Sequence, residues 1–510
     1  MKNILKYTFA VVAVGFASCE PEFDNPVNEE GFYTSGTADF SRYVAVGNSL
    51  TAGFADGALY ITGQNNSYPN IMAEQFSLAG GGEFTQPLMN DNLGGLLLGG
   101  NQITENRFVL AVGANGNPGP VRLEGNPTTE VTNKLVGPFN NMGVPGAKSF
   151  HLVAPGYGNA GGVAQGAANP YFARFASSDN ATIIADATAQ NPTFFSLWIG
   201  NNDILAYATA GGSGVDQTGN SDPNTYGNND ITDPNVFASV YSQQVAALAA
   251  NGAKGVLVNI PEVTSIPYFT TVPRNAIPLD AATAGALNAQ FAAYNNAVLP
   301  GLVGAGVISQ EEAALRMINF SAGQNFPIMV DDDLTDLTQI LQGPPFSLPA
   351  QTAGLLGQLR QVKPDDLIVL PASSVLGSVP DPSNPQGVVG VTIPLSDDLV
   401  LAVTEQARVT AASMAYNATI QALANANGLA FVDARAALNR VANGGISYDA
   451  GLLTNQFVTG GAFSLDGVHP TARGYAYVAN LAIQAINETY DATIPTVNIG
   501  DYPTITLTNN

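Results

Sequence analysis

Four short apolar runs constrain this chain more than any other feature. They are Arg42 to Val46 (RYVAV), Thr193 to Ile199 (TFFSLWI), Gly255 to Ile260 (GVLVNI) and Leu429 to Val432 (LAFV). Unbroken apolar runs bounded by Gly, Asn or Pro suit strands buried on both faces of a parallel sheet. Helical patterns fall between them. Val236 to Asn251 repeats Val236, Val240, Val245 and Leu248 at near-helical spacing. Asp398 to Asn427 reads as a long amphipathic helix with Ser396-Asp397 as its N-cap. Thr471 to Asn487 makes a final helix with Pro470 at its start. This alternation of strand and helix predicts a doubly wound α/β domain.

The chain has 510 residues, whereas one such domain needs about 100–250. The surplus is expected as insertions in a domain over 38–490, at about 80–134, 205–233 and 266–395, before a C-terminal tail over 491–510. The last insertion carries apolar segments of its own, Phe326 to Val330 and Leu367 to Leu370, and is expected to form a lid or subdomain. A net charge of -23 argues against nucleic acid or an anionic lipid surface as a direct ligand.

Lys2 and Lys6 open a segment in which Phe9 to Ala17 is apolar but shorter than the roughly 20 residues a membrane span takes. Ala17 and Ser18 then precede Cys19. This resembles a bacterial lipoprotein signal, with Phe16 departing from the usual Leu. The resemblance implies a signal peptide over 1–18 and lipid attachment at Cys19. It implies export and anchoring to a bacterial membrane, with the outer membrane and the cell surface as the expected address. Cys19 is the single cysteine, so an intramolecular disulfide is excluded. Residues 19–37 lack periodicity and read as a flexible tether.

The chemistry gathers in four blocks. Gly47-Asn48-Ser49-Leu50 follows the first strand pattern, a place that exposes a serine hydroxyl and directs its own N–H at an incoming oxyanion. That hydroxyl needs a base. The chain has two histidines, His151 and His469. His469 closes Asp466-Gly467-Val468-His469, where an Asp three residues upstream can fold back onto Nδ1 and leave Nε2 for the serine proton. His151 has no carboxylate within three residues and reads as structural. Gly146, in Asn141-Met142-Gly143-Val144-Pro145-Gly146, and the side-chain amide of Asn202, in Gly200-Asn201-Asn202-Asp203, are candidate oxyanion donors beside Ser49 N–H. Gly143 is the alternative to Gly146, and Asp203 reads as structural. Gly-Asn-Asn-Asp-Ile recurs at Gly227 to Ile231, where it follows loop rather than strand and reads as a surface turn.

In this order the blocks resemble those of the SGNH/GDSL serine hydrolases: a GDSL-type block, a Gly block, a GxND block and a DxxH block. The resemblance implies a flavodoxin-like, three-layer α/β/α fold with a central parallel sheet. It implies an esterase, lipase or acylhydrolase that works through an acyl-enzyme without a metal or organic cofactor. Ser49 would be the nucleophile, His469 the base and Asp466 its orienting acid, with Ser49, Gly146 and Asn202 forming the oxyanion hole. Asn48 stands where the family usually has Asp. An acyltransferase sharing the acyl-enzyme, or a catalytically silent surface lipoprotein that binds a glycan or partner, would carry the same residues. The substrate is expected to be an acyl ester of a small molecule, glycan or lipid, and abundant small polar residues tilt this towards polar esters. Asp331-Asp332-Asp333 with Asp336 lacks the glycine and distal Glu of a calcium loop and reads as an exposed acidic turn. Trp198 reads as core.

Overall fold

The structure is a computed structural model that describes residues 32–507 except 114, 115, 117 and 450. The signal segment, Cys19 and most of the expected tether therefore lie outside the described residues. Five parallel strands form the central sheet: β1 (Tyr43–Gly47), β2 (Asn141–Gly143), β3 (Phe194–Trp198), β4 (Lys254–Val258) and β5 (Ala430–Val432). Their spatial order is β2-β1-β3-β4-β5, the 2-1-3-4-5 order of flavodoxin-like sheets. All residues of β1 and β3 are buried, which explains their unbroken apolar runs. The one hydroxyl within β3, Ser196, is satisfied by Tyr43 Oη at 2.7 Å.

Eight helices matter to the site. They are α1 (Ser49–Ala52), α2 (Tyr68–Phe76), α3 (Ile183–Thr188), α4 (Asn202–Thr209), α5 (Pro234–Leu248), α6 (Val403–Asn427), α7 (Ala434–Ala442) and α8 (Ala472–Tyr490). Helices α2 and α8 pack together, while α3, α4, α5 and α6 form a second packed group. The two groups fit a three-layer α/β/α arrangement.

Several expectations need correction. β2 was not expected: Asn-Met-Gly is too short to show a strand pattern, yet all three residues are buried beside β1. The long helix begins at Val403 rather than Asp398, because Val400–Leu401 first pairs antiparallel with Leu367–Ile368. Its N-terminus is not capped by Ser396-Asp397; the Glu405 carboxyl accepts the Ala402 N–H at 2.6 Å. The insertion expected from Leu205 starts inside α4. Thr34 and Thr37, placed in the tether, hydrogen-bond to Thr493 and Tyr490. Residues 491–507 are no loose tail either, since Ile494 and Val497 N–H groups bond Asn487 and Asn480 of α8.

The insertion over 266–395 has its own buried cluster, including Leu287, Phe291, Leu302, Ile328, Leu341 and Leu359. Asp331 is not exposed. It is buried and ion-paired with Arg360, which also holds Asp366. Asp332, Asp333 and Asp336 are exposed. Trp198 is buried, and its indole N–H donates to the Asn259 carbonyl at 3.1 Å. Among the described residues no helix is long and apolar enough to cross a membrane.

Candidate active site

The strand order places β1 between β2 and β3, so the chain leaves β1 on one side and returns on the other. In open α/β sheets the crevice at such a reversal, beyond the carboxyl ends of the strands, is the usual ligand site. Ser49 follows the end of β1, Gly146 the end of β2 and Asn202 the end of β3. Gly47 stands level with both Gly143 and Trp198.

Ser49 is the first residue of α1. Asn48 caps that helix, its side-chain oxygen accepting the Leu50 N–H at 3.0 Å. The Asn48 amide also donates to Asn201 Oδ1 at 3.1 Å. This second bond gives the amide at position 48 a use that a carboxylate could not serve, because an ionised Asp has no donor. It ties the serine turn to the Gly200–Asp203 block. Sequence reading missed the pair because Asn201 occupied the variable position of its motif.

His469 Nε2 lies 2.9 Å from Ser49 Oγ, and His469 Nδ1 lies 2.9 Å from Asp466 Oδ2. An ionised carboxylate only accepts, so Nδ1 carries the proton and bare Nε2 accepts from the serine hydroxyl. The ring packs against Phe54, centroids 4.6 Å apart. Gly467 shapes the turn that makes this possible. Its φ of 72° lies in the left-handed region, and a Cβ there would meet Leu370 Cδ2 at 3.0 Å. The folded-back Asp466 accepts the Val468 and His469 N–H groups on Oδ1, each at 2.8 Å, and the Gly57 N–H on Oδ2, also at 2.8 Å. Ser464 Oγ adds a contact at 3.1 Å. Burial alone would raise this carboxyl. The His469 imidazole and the N–H donors outweigh it and hold Asp466 at about 2. Phe54 and Gly57, in the loop after α1, are contributors that the sequence reading did not single out.

Gly146 sits at φ 81° in a loop pinned on both sides. Val144 N–H donates to the Gly47 carbonyl at 3.0 Å, and the Ala147 carbonyl accepts the Asn202 side-chain amide at 2.9 Å. Neither the Ser49 N–H nor the Gly146 N–H has a protein acceptor among the described residues. The Gly143 N–H is taken by Asn141 Oδ1 at 3.0 Å, which removes it as the alternative donor. Asn202 keeps one amide hydrogen beyond its bond to Ala147 and lines the same cavity as Ser49 and His469. Asp203 is structural: fully buried, it accepts the Ser149 N–H at 2.8 Å and hydroxyl at 2.6 Å. His151 is structural as well. Its Nδ1 accepts the Lys148 N–H at 3.0 Å, and its ring stacks on Tyr157. Burial, with Lys148 alongside, pushes its imidazole down to about 4. The second Gly-Asn-Asn-Asp-Ile copy is a turn, its Asp230 carbonyl accepting Lys148 Nζ at 2.8 Å.

No protein-family profile, curated protein or solved structure matches this chain.

Proposed function

We propose that this protein is a serine ester hydrolase of the SGNH/GDSL type. The observation that carries the reading is the unbroken chain from Ser49 Oγ through His469 to Asp466, two contacts of 2.9 Å ending on an ionised carboxylate. Ser49 Oγ attacks the ester carbonyl carbon while His469 Nε2 takes its proton. The carbonyl oxygen becomes an oxyanion facing the Ser49 and Gly146 N–H groups and the Asn202 amide. As the tetrahedral adduct collapses, the alcohol leaves with the proton from Nε2. Water then attacks the acyl carbon and gives a proton to Nε2; the bond from that carbon to Ser49 Oγ breaks as Nε2 passes the proton to Oγ, releasing the acid and regenerating Ser49.

The test is hydrolysis of p-nitrophenyl esters by the domain beside Ser49→Ala. Turnover lost in the variant with the fold retained supports the reading; equal turnover in both sinks it. Lipid attachment at Cys19 belongs to the same proposal, and Cys19→Ala should abolish incorporation of a labelled fatty acid in cells. Unchanged incorporation would refute the anchor.

A further inference from the structure

Two hollows meet at His469, and they differ in size and in how many polar groups line them. The first is a cavity of about 110 Å³ that opens beside Ser49 and His469. Its polar lining, Ser49, Asn201, Asn202 and His469, gathers at the catalytic end. The remainder is almost wholly carbon, with Val432 from the end of β5, Leu438 and Val441 from α7, Val478 and Leu481 from α8, and Leu453. Water in such a place finds few hydrogen-bond partners, so the cavity favours an apolar occupant. The second hollow is a larger groove of about 670 Å³ that also reaches the imidazole; its walls are mostly apolar too, with Phe54, Leu370 and Phe457, but they carry Arg122, Ser373 and Asp466 as well.

The proposed reaction assigns one half of an ester to each. The leaving alcohol must sit where His469 can return its proton, must depart, and must be replaced by water. The larger, partly polar groove allows all three. The acyl group stays bonded to Ser49 Oγ through both half-reactions, and the narrow apolar cavity shelters it. A single methyl group would leave most of that cavity unfilled, whereas a polymethylene chain would cover its walls.

We infer that this cavity is an acyl-chain pocket and that the substrate is an ester of an aliphatic acid well longer than acetate. The inference rests on the Ser49 hydrolase reading and departs from the expected tilt towards polar esters at the acyl half. Ala437 of α7 is buried in the pocket wall and takes no part in the triad or oxyanion loops, so a larger side chain there should shorten the pocket alone.

The experiment measures kcat/KM for p-nitrophenyl acetate, butyrate, octanoate and laurate with wild type, Ser49→Ala and Ala437→Phe. Wild-type kcat/KM should climb by about four-fold per methylene until the pocket is full. Ala437→Phe should lower octanoate and laurate turnover by about ten-fold or more while leaving acetate within about two-fold. Because a phenyl ring in this wall can also unfold the protein, a second arm uses wild type alone. Ser49 should be modified faster by octanesulfonyl fluoride than by methanesulfonyl fluoride. A flat or acetate-favouring profile with Ser49-dependent turnover overturns the pocket and leaves the hydrolase reading standing. So does an Ala437→Phe variant that folds and loses all four esters equally. Absence of any Ser49-dependent turnover or labelling overturns both.

Discussion

Asp466 and Glu405 are both carboxylic acids withdrawn from water, at opposite ends of the pKa range for such groups. Asp466 is ringed by donors: the His469 imidazole and three backbone N–H groups. It stays ionised, held at about 2. Glu405 has the Ala402 N–H but lies among Asp397, Asp331 and Asp333, and it is 1% exposed. Burial first, and those like charges second, push it up to about 9, so it is neutral at pH 7. The Asp397 carboxyl beside it is raised to about 6, again mainly by burial. The comparison teaches that burial raises a carboxyl unless donors outweigh it. Here the donors are concentrated on the carboxylate that faces His469.

The largest effect should come from removing that charge. Asp466→Asn keeps the shape but lets His469 carry its proton on the wrong nitrogen, and kcat should fall by about 10⁴-fold, the size known for this change in a serine protease triad. A loss below ten-fold, read in steady-state kinetics, would mean the carboxylate does not orient the imidazole. Next comes the acidic corner. Arg360 is 3% exposed and bonds both Asp331 and Asp366. Arg360→Met would strand two buried carboxylates, and denaturant titration should show a loss of about 3–5 kcal/mol. Ester turnover per folded molecule should not change, and a matching fall in kcat would tie the two corners together. Asn202→Ala should lower kcat by about 10²–10³-fold, the cost of one oxyanion donor. An effect confined to KM would reassign it to substrate binding.

The smallest effect separates the two carboxyls by pH. Glu405 has a raised folded pKa, so its contribution is complete below the ordinary value of 4.5 and is lost as pH rises through about 9. Stability should fall by about 2 kcal/mol between about pH 7 and about pH 9, and Glu405→Gln should flatten that slope. Asp466 runs the other way. Its contribution is present above 3.8 and fades as pH drops towards about 2. Thermal unfolding across pH with both variants would read the two slopes, and an alkaline slope unchanged by Glu405→Gln would break the contrast.

Most of the sheet and the Asp466–His469 contact were legible because both are local signals. Fully buried parallel strands must be apolar without interruption, and Asp466 reaches His469 through a four-residue turn. The remainder depended on contacts distant in sequence. β2 is visible only through its partner β1. Gly57 reaches Asp466 across 409 positions, and Asn48 meets Asn201 across 153. The start of α6 is not where the sequence places it because Ser396 and Asp397 look like a cap, while the neighbouring Val400–Leu401 pairs with a distant strand. Asp331 reads as a surface acid until Arg360 is seen beside it.

The most direct test of the central claim is reaction of the folded protein with a fluorophosphonate, followed by peptide mass mapping, in wild type and His469→Ala. The account predicts a single adduct on Ser49 in wild type and none in the variant. A folded wild-type protein that stays unlabelled at Ser49, or a Ser49 that labels equally well without His469, would contradict it.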